Sequence, residues 1–162
     1  MSKSRPSPGA ALRRAWARLS PLPGGPWLFS RFLGWMNRYT GSVGAVVRRL
    51  EPGDVAVELK DRPKVRNHLN SVHAIALTNI AEQASGLAVL TALPPAVRGI
   101  PVRIGITFAK KARGTLTAEC RCTVPAVTAD TEYDVTSIVR DAAGDEVAKA
   151  TVTWRLGPVP VL

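Results

Sequence analysis

From Ser71 to Thr91 the chain reads SVHAIALTNIAEQASGLAVLT, and apolar residues fall on every side of the helix that this segment predicts. Such a helix is stable in water only when other elements enclose it. Pro94-Pro95 marks its end. Asn79, Glu82 and Gln83 interrupt it, so it makes a poor membrane span. Glu82 sharpens the problem, because a carboxylate carried into an apolar interior is costly unless it is partnered or used.

Strands flank this helix on both sides. SVGAVVRRLEPGDVAVELK predicts two strands about a Glu-Pro-Gly-Asp turn, with Val55, Val57 and Leu59 alternating inward. After the helix come PVRIGITFAKKA, TLTAECRCTV, TEYDVTSIVRD and EVAKATVTWRL. Their inward sets include Leu116, Ala118 and Cys120 in the second, and Ala148, Ala150, Val152, Trp154 and Leu156 in the last. AAGD supplies a hairpin turn between the third and the fourth. The expected class is α+β, a curved antiparallel sheet of about six strands wrapped around one central helix. At 162 residues this is one domain's worth of chain, and 46% hydrophobic content argues against disorder.

The first fifty residues differ in kind. They carry nine basic residues and no acidic one, whereas the remainder carries 13 basic and 12 acidic. A cationic front end on a nearly neutral domain suits an anionic partner. Residues 1–26 read as a basic arm: a Ser/Pro-rich start over 1–9, expected to be disordered, then a short amphipathic helix on Leu12, Trp16 and Leu19. PLPGGP breaks that helix. Leu28, Phe32, Trp35, Met36 and Tyr39 then form a helical stripe, expected to pack a leading helix (27–39) onto the domain of residues 27–158. On this reading residues 1–20 stay free and could touch anionic membrane. Nucleic acid is not expected, since no recognition-helix pattern accompanies the charge. The start has no continuous apolar h-region of a signal peptide, and a cytoplasmic location is expected. Cys120 and Cys122, two apart in a strand, share a face and are expected to be free thiols. Two histidines and two cysteines give no metal-ligand spacing, and no cofactor is expected.

Asn67, Asn70, His73 and Glu82 carry a resemblance. Thioesterases related to phenylacetyl-CoA thioesterase have Asn, two residues, Gly, two residues, then His-Gly-Gly, with an acidic residue nine positions after the His. NHLNSVH is similar to the start of their helix, GITFAKKARGTLTAECRC to their third and fourth strands, and VRDAAGDEVAKATVTW to their last hairpin. The chain resembles the hotdog-fold superfamily over roughly residues 35–156, including a neighbouring branch with a helix ahead of the domain. Asn70 stands where the pattern has Gly, and Asn tolerates left-handed backbone better than most residues. Ala74 and Ile75 replace the Gly-Gly pair, and Ile75 adds bulk where an acyl thioester would approach.

Nine residues rotate a helix by about 900° and advance it about 13 Å, so His73 and Glu82 face opposite ways. They can serve one thioester only across a two-fold axis, and the resemblance implies the same composite site in a homodimer, or a dimer of dimers. The expected reaction is hydrolysis of an acyl-CoA. Glu82 acts as general base or nucleophile, the Ala74 N–H as oxyanion donor, and Asn67 and His73 orient water or thioester. Asn70 and Ile75 would border the substrate. Arg98, Arg103, Lys110, Lys111 and Arg113 gather around the third strand and could meet CoA phosphates. Coenzyme A enters only as part of the substrate. Two alternatives stand beside this reading: a non-catalytic acyl-CoA or fatty-acyl binder, and a hydroxyacyl dehydratase that uses His68 and Glu82, which lie fourteen residues apart with Gln83 following.

Overall fold

The computed structural model describes residues 7–159. Three helices lead: α1 (Pro8–Leu19), α2 (Gly25–Met36) and the single turn α3 (Arg38–Gly41). The hairpin β1 (Val46–Glu51) and β2 (Asp54–Lys60) follows, closing at Pro52-Gly53 as the turn residues predict. A 3₁₀ turn at Pro63–Val65 leads to the long helix α4 (Ala74–Ala92). Four strands complete the chain: β3 (Val97–Phe108), β4 (Thr115–Arg121), β5 (Thr131–Arg140) and β6 (Glu146–Pro158).

All six strands form one antiparallel sheet in the order β1-β2-β4-β5-β6-β3. The α4 helix touches every one of them, so it is the central helix and the fold is the hotdog that the sequence predicts. Alternation did this work. Val55, Val57 and Leu59 of β2, Leu116, Ala118 and Cys120 of β4, and Ala148, Ala150, Val152, Trp154 and Leu156 of β6 are all buried. They meet Ile80, Ala81, Ala84, Ala88 and Val89 of α4, whose small side chains let the sheet close on the helix. The thiols are free, Cys120 buried and Cys122 half-buried.

Two boundaries shift. The α4 helix begins at Ala74, not Ser71, because the preceding residues are held as extended chain. Val72 bridges Arg66, and its N–H donates to the Ala112 carbonyl at 2.9 Å. The third strand begins at Val97 and ends at Phe108, four residues earlier than expected at each end. Pro101 is tolerated inside it because β3 is an edge strand with a register shift there.

The front end packs otherwise than its pattern predicts. The amphipathic helix exists as α1, yet it is seated on α4 and not free: Leu12, Ala15, Trp16 and Leu19 pack against the core. Gly9 explains the close seat, since a methyl there would collide with the Leu90 carbonyl. The Arg13 guanidinium donates to the Thr91 carbonyl near the end of α4. Of the Ser/Pro-rich start, Pro8 and Gly9 are helical; residues 1–6 lie outside the described part. In α2 the expected stripe points away from the protein. Its buried face is Phe29, Ser30 and half-buried Leu33, with the Ser30 hydroxyl accepting the Val47 N–H of β1 at 2.8 Å. Leu28, Phe32, Trp35, Met36 and, in α3, Tyr39 are exposed. Gly34 lies against Gly41, which lets α2 and α3 approach closely, while Ser30 fixes α2 to β1.

Among the described residues no helix is long and apolar enough to cross a membrane.

Candidate active site

The loop before α4 is built by Asn67. Its Oδ1 accepts the N–H groups of Leu69 at 3.0 Å and Ser71 at 3.2 Å, and its own N–H donates to the Ser71 carbonyl at 2.8 Å. Asn70 sits within this turn at φ 56°, the left-handed conformation that the Gly of the related pattern suits. Its Oδ1 accepts from Arg66 Nη1 at 3.0 Å.

His73 is the N-cap of α4. Its Nδ1 accepts the Ile75 N–H at 3.1 Å, which leaves Nε2 as the ring's protonated nitrogen. Ala74 is the first helical residue, so its N–H has no intrahelical partner, and among the described residues it meets no acceptor. The positive end of the helix dipole reinforces that donor. Beside it, Val43, Val65, Arg66, His73, Ile75 and Ala76 border an open cavity of about 240 Å³. Ile75 is 55% exposed at its rim.

Glu82 lies more than two turns further along α4, half-buried near Gly86 and the Trp154 ring. Burial pushes its carboxyl above the usual carboxylate range. No hydrogen bond or ion pair reaches that carboxylate among the described residues. The helix runs unbroken from Ala74 to Ala92, so the opposite-face relation of His73 and Glu82 holds and one chain does not bring them together. His68 is exposed in the turn before the helix, and among the described residues no hydrogen bond or ion pair joins it to Glu82.

The basic residues do not form one cluster. Lys110 is taken by Asp141 at 2.6 Å and Asp145 at 2.7 Å, which tie β3 to the β5–β6 turn. Arg103 Nε donates to Thr153 Oγ1 at 3.2 Å. Arg98 and Lys111 are exposed. Arg113 stands nearest the helix start, with Nε 3.4 Å from the Asn70 carbonyl.

A second polar locus was not legible in the sequence. Asn79 and Gln83, one turn apart on α4, are buried with Asn79 Oδ1 and Gln83 Oε1 unpartnered among the described residues. Asn79 Nδ2 donates to the Tyr39 carbonyl at 3.3 Å, so this side of α4 faces α3, away from Trp154. The only hint was the polar pair itself at helical spacing.

Known proteins of this shape are thioesterases in several cases. A genomics target matches with a TM-score of 0.81 at 25% identity, covering 93% of this chain and 100% of its own. A Pseudomonas aeruginosa protein described as a probable thioesterase matches at 0.73 and 23% identity, covering 85% and 97%. A Streptococcus mutans protein solved with acetyl-CoA bound matches at 0.60 and 25% identity, covering 70% and 90%. Several of the solved neighbours carry the name thioesterase, and one of these is also named for phenylacetic acid degradation, in line with the resemblance. No curated protein matches the chain. The model of the domain of unknown function DUF4442 matches residues 25–156, and the chain therefore belongs to the DUF4442 family, on a hotdog fold.

Proposed function

We propose that the protein is an acyl-CoA thioesterase working as a homodimer. The observation that carries this is Glu82: an unpartnered carboxylate, raised in pKa by burial, on the central helix of a thioesterase-type fold. Water activated by Glu82 attacks the thioester carbonyl, the Ala74 N–H of the partner's helix start stabilises the oxyanion, and CoA thiol leaves. His73 holds the first turn so that this N–H keeps its direction. Asn67 and Asn70 hold the loop that borders the thioester, and Ile75 limits the acyl group. The neighbour that binds acetyl-CoA supports a CoA thioester as the substrate class. CoA phosphates would meet Arg113, with Arg98, Arg103 and Lys111 along β3 as weaker candidates. The edge strand β3 supports the dimer, because it exposes Ile100, Val102, Ile104 and Phe108.

Thiol release from a panel of acyl-CoAs, measured for wild type and Glu82→Gln, tests the proposal. Equal rates would remove Glu82 from the chemistry. A second reading, an acyl-CoA binder without turnover, is favoured by exposed Ile75 standing where the related enzymes have Gly. Saturable acyl-CoA binding without thiol release would select it.

A further inference from the structure

Half of the α2 surface faces solvent, and that half is the wrong half. Trp27, Leu28, Phe32, Trp35 and Met36 are 45–72% exposed, with Arg31 as the one charged residue among them. Tyr39 and Leu22 extend the patch at 70% and 53%. A surface helix of a monomeric soluble protein turns polar residues outward, and a contiguous apolar patch of this kind marks an interaction site.

The charges around the patch identify what covers it. Arg31 and Arg38 border it, Arg14 and Arg18 are exposed on the neighbouring α1, and among the described residues none of the four forms an ion pair. The first fifty residues contain no acid to neutralise them. A second copy seated here would set two such cationic ends against each other. An anionic bilayer offers the opposite charge at its surface and an apolar layer beneath. Tryptophan, tyrosine and arginine are the side chains that span that boundary, with an apolar body and a polar tip. Phe32 and Trp35 stack with ring centroids 6.4 Å apart, and Arg31 lies 5.7 Å from the Trp27 centroid, so the face is a preassembled platform. Beside it, Trp27, Arg31, Trp35, Arg38, Arg62 and buried Gln83 border a cavity of about 380 Å³; Arg62 Nη2 is held by the Val43 carbonyl at 2.6 Å, and the Arg31 and Arg38 guanidinium groups suit a lipid phosphate. The α2 helix packs on β1, the sheet edge opposite β3, so pairing through β3 leaves this face open.

We infer that α2 is an interfacial helix that docks the protein on anionic membrane through Trp27, Leu28, Phe32, Trp35 and Met36, with Arg31 and Arg38 at the headgroups. The free-arm expectation is thereby reversed, since α1 is seated on α4 and the contacting stripe belongs to α2. The inference stands independently of the chemistry at Glu82.

The test is co-sedimentation of the full chain with vesicles of phosphatidylcholine, alone or in equal parts with phosphatidylglycerol, at low and high salt. Tryptophan emission and sedimentation velocity are followed alongside. The bound fraction is expected to favour the anionic vesicles on the order of tenfold or more, to fall with salt, and to come with a blue shift. Phe32→Ser with Trp35→Ser, and separately Arg31→Glu with Arg38→Glu, should each abolish binding while leaving the thermal midpoint near wild type. Protein that stays in the supernatant at low salt overturns the inference. So does undiminished binding by the Phe32/Trp35 variant, which would mean charge adsorption alone. A change of oligomeric state in that variant would make the face a subunit contact, and tighter binding of a single-stranded oligonucleotide by the same residues would make it a nucleic-acid platform; either result overturns membrane docking.

Discussion

At the residue scale, Glu82 couples stability and activity in opposite senses. Its folded pKa lies above the unfolded value because burial disfavours the charge. Between those two values the folded state holds more protons than the unfolded one, so stability falls as pH rises through that window and stays lower above it. Replacing Glu82 with Gln removes this cost. The expected result is a thermal midpoint above wild type at neutral pH, with the advantage shrinking as pH is lowered through that window and lost below the unfolded value. Thiol release should change the other way. If Glu82 is the base, kcat falls by about 10²–10⁴ in the Gln variant, and the wild-type rate climbs with pH through the raised pKa. A Gln variant that is both less stable and fully active would mark Glu82 as a structural carboxylate. The position of this acid was legible in the sequence, as the single carboxylate of the apolar segment SVHAIALTNIAEQASGLAVLT. The division of Glu82 from Gln83 and Asn79 was not visible, because it depends on which neighbour covers each side of α4.

At the element scale, the first turn of α4 and the seat of α1 each permit a clean experiment. Because His73 Nδ1 accepts the Ile75 N–H, His73→Ala should cost about 1 kcal/mol as a lost cap, seen as a Tm lower by about 2–4 °C. Asn caps as well as most residues, so His73→Asn should recover the midpoint. Recovery of thiol release together with the midpoint would confine His73 to holding the turn. Continued loss of activity would put its ring at the substrate. At the other end of α4, Gly9→Ala drives a methyl into the Leu90 carbonyl and should destabilise by about 1–3 kcal/mol, with urea unfolding as the readout. β2, β4 and β6 were legible because their inward-facing sets alternate and are buried, whereas β3, exposed along most of its length, gave only an approximate position. The facing of α2 was not. Its apolar stripe outnumbers the side that packs, and that side is held by the Ser30 hydrogen bond to β1 and the close Gly34–Gly41 contact with α3, which hydrophobic periodicity does not register.

At the scale of the whole molecule, a site shared between protomers predicts complementation. His73→Ala and Glu82→Gln, each inactive alone, should regain part of the activity when co-expressed, since one of the two sites in a mixed dimer carries neither change. Ile104→Glu, on the exposed β3 edge, should give monomers and lose thiol release with the fold intact; an active monomer would exclude the shared site. The sheet order carries one more consequence, in time. β2 ends at Lys60, and its partner β4 starts at Thr115. On a ribosome adding about 5–20 residues per second, the edge of β2 therefore waits roughly 3–11 s for its partner. During that wait the largely apolar α4 emerges with no sheet yet able to enclose it. The newborn chain is thus a natural client for ribosome-associated chaperones, and its soluble yield should fall in cells that lack them and recover when they are restored.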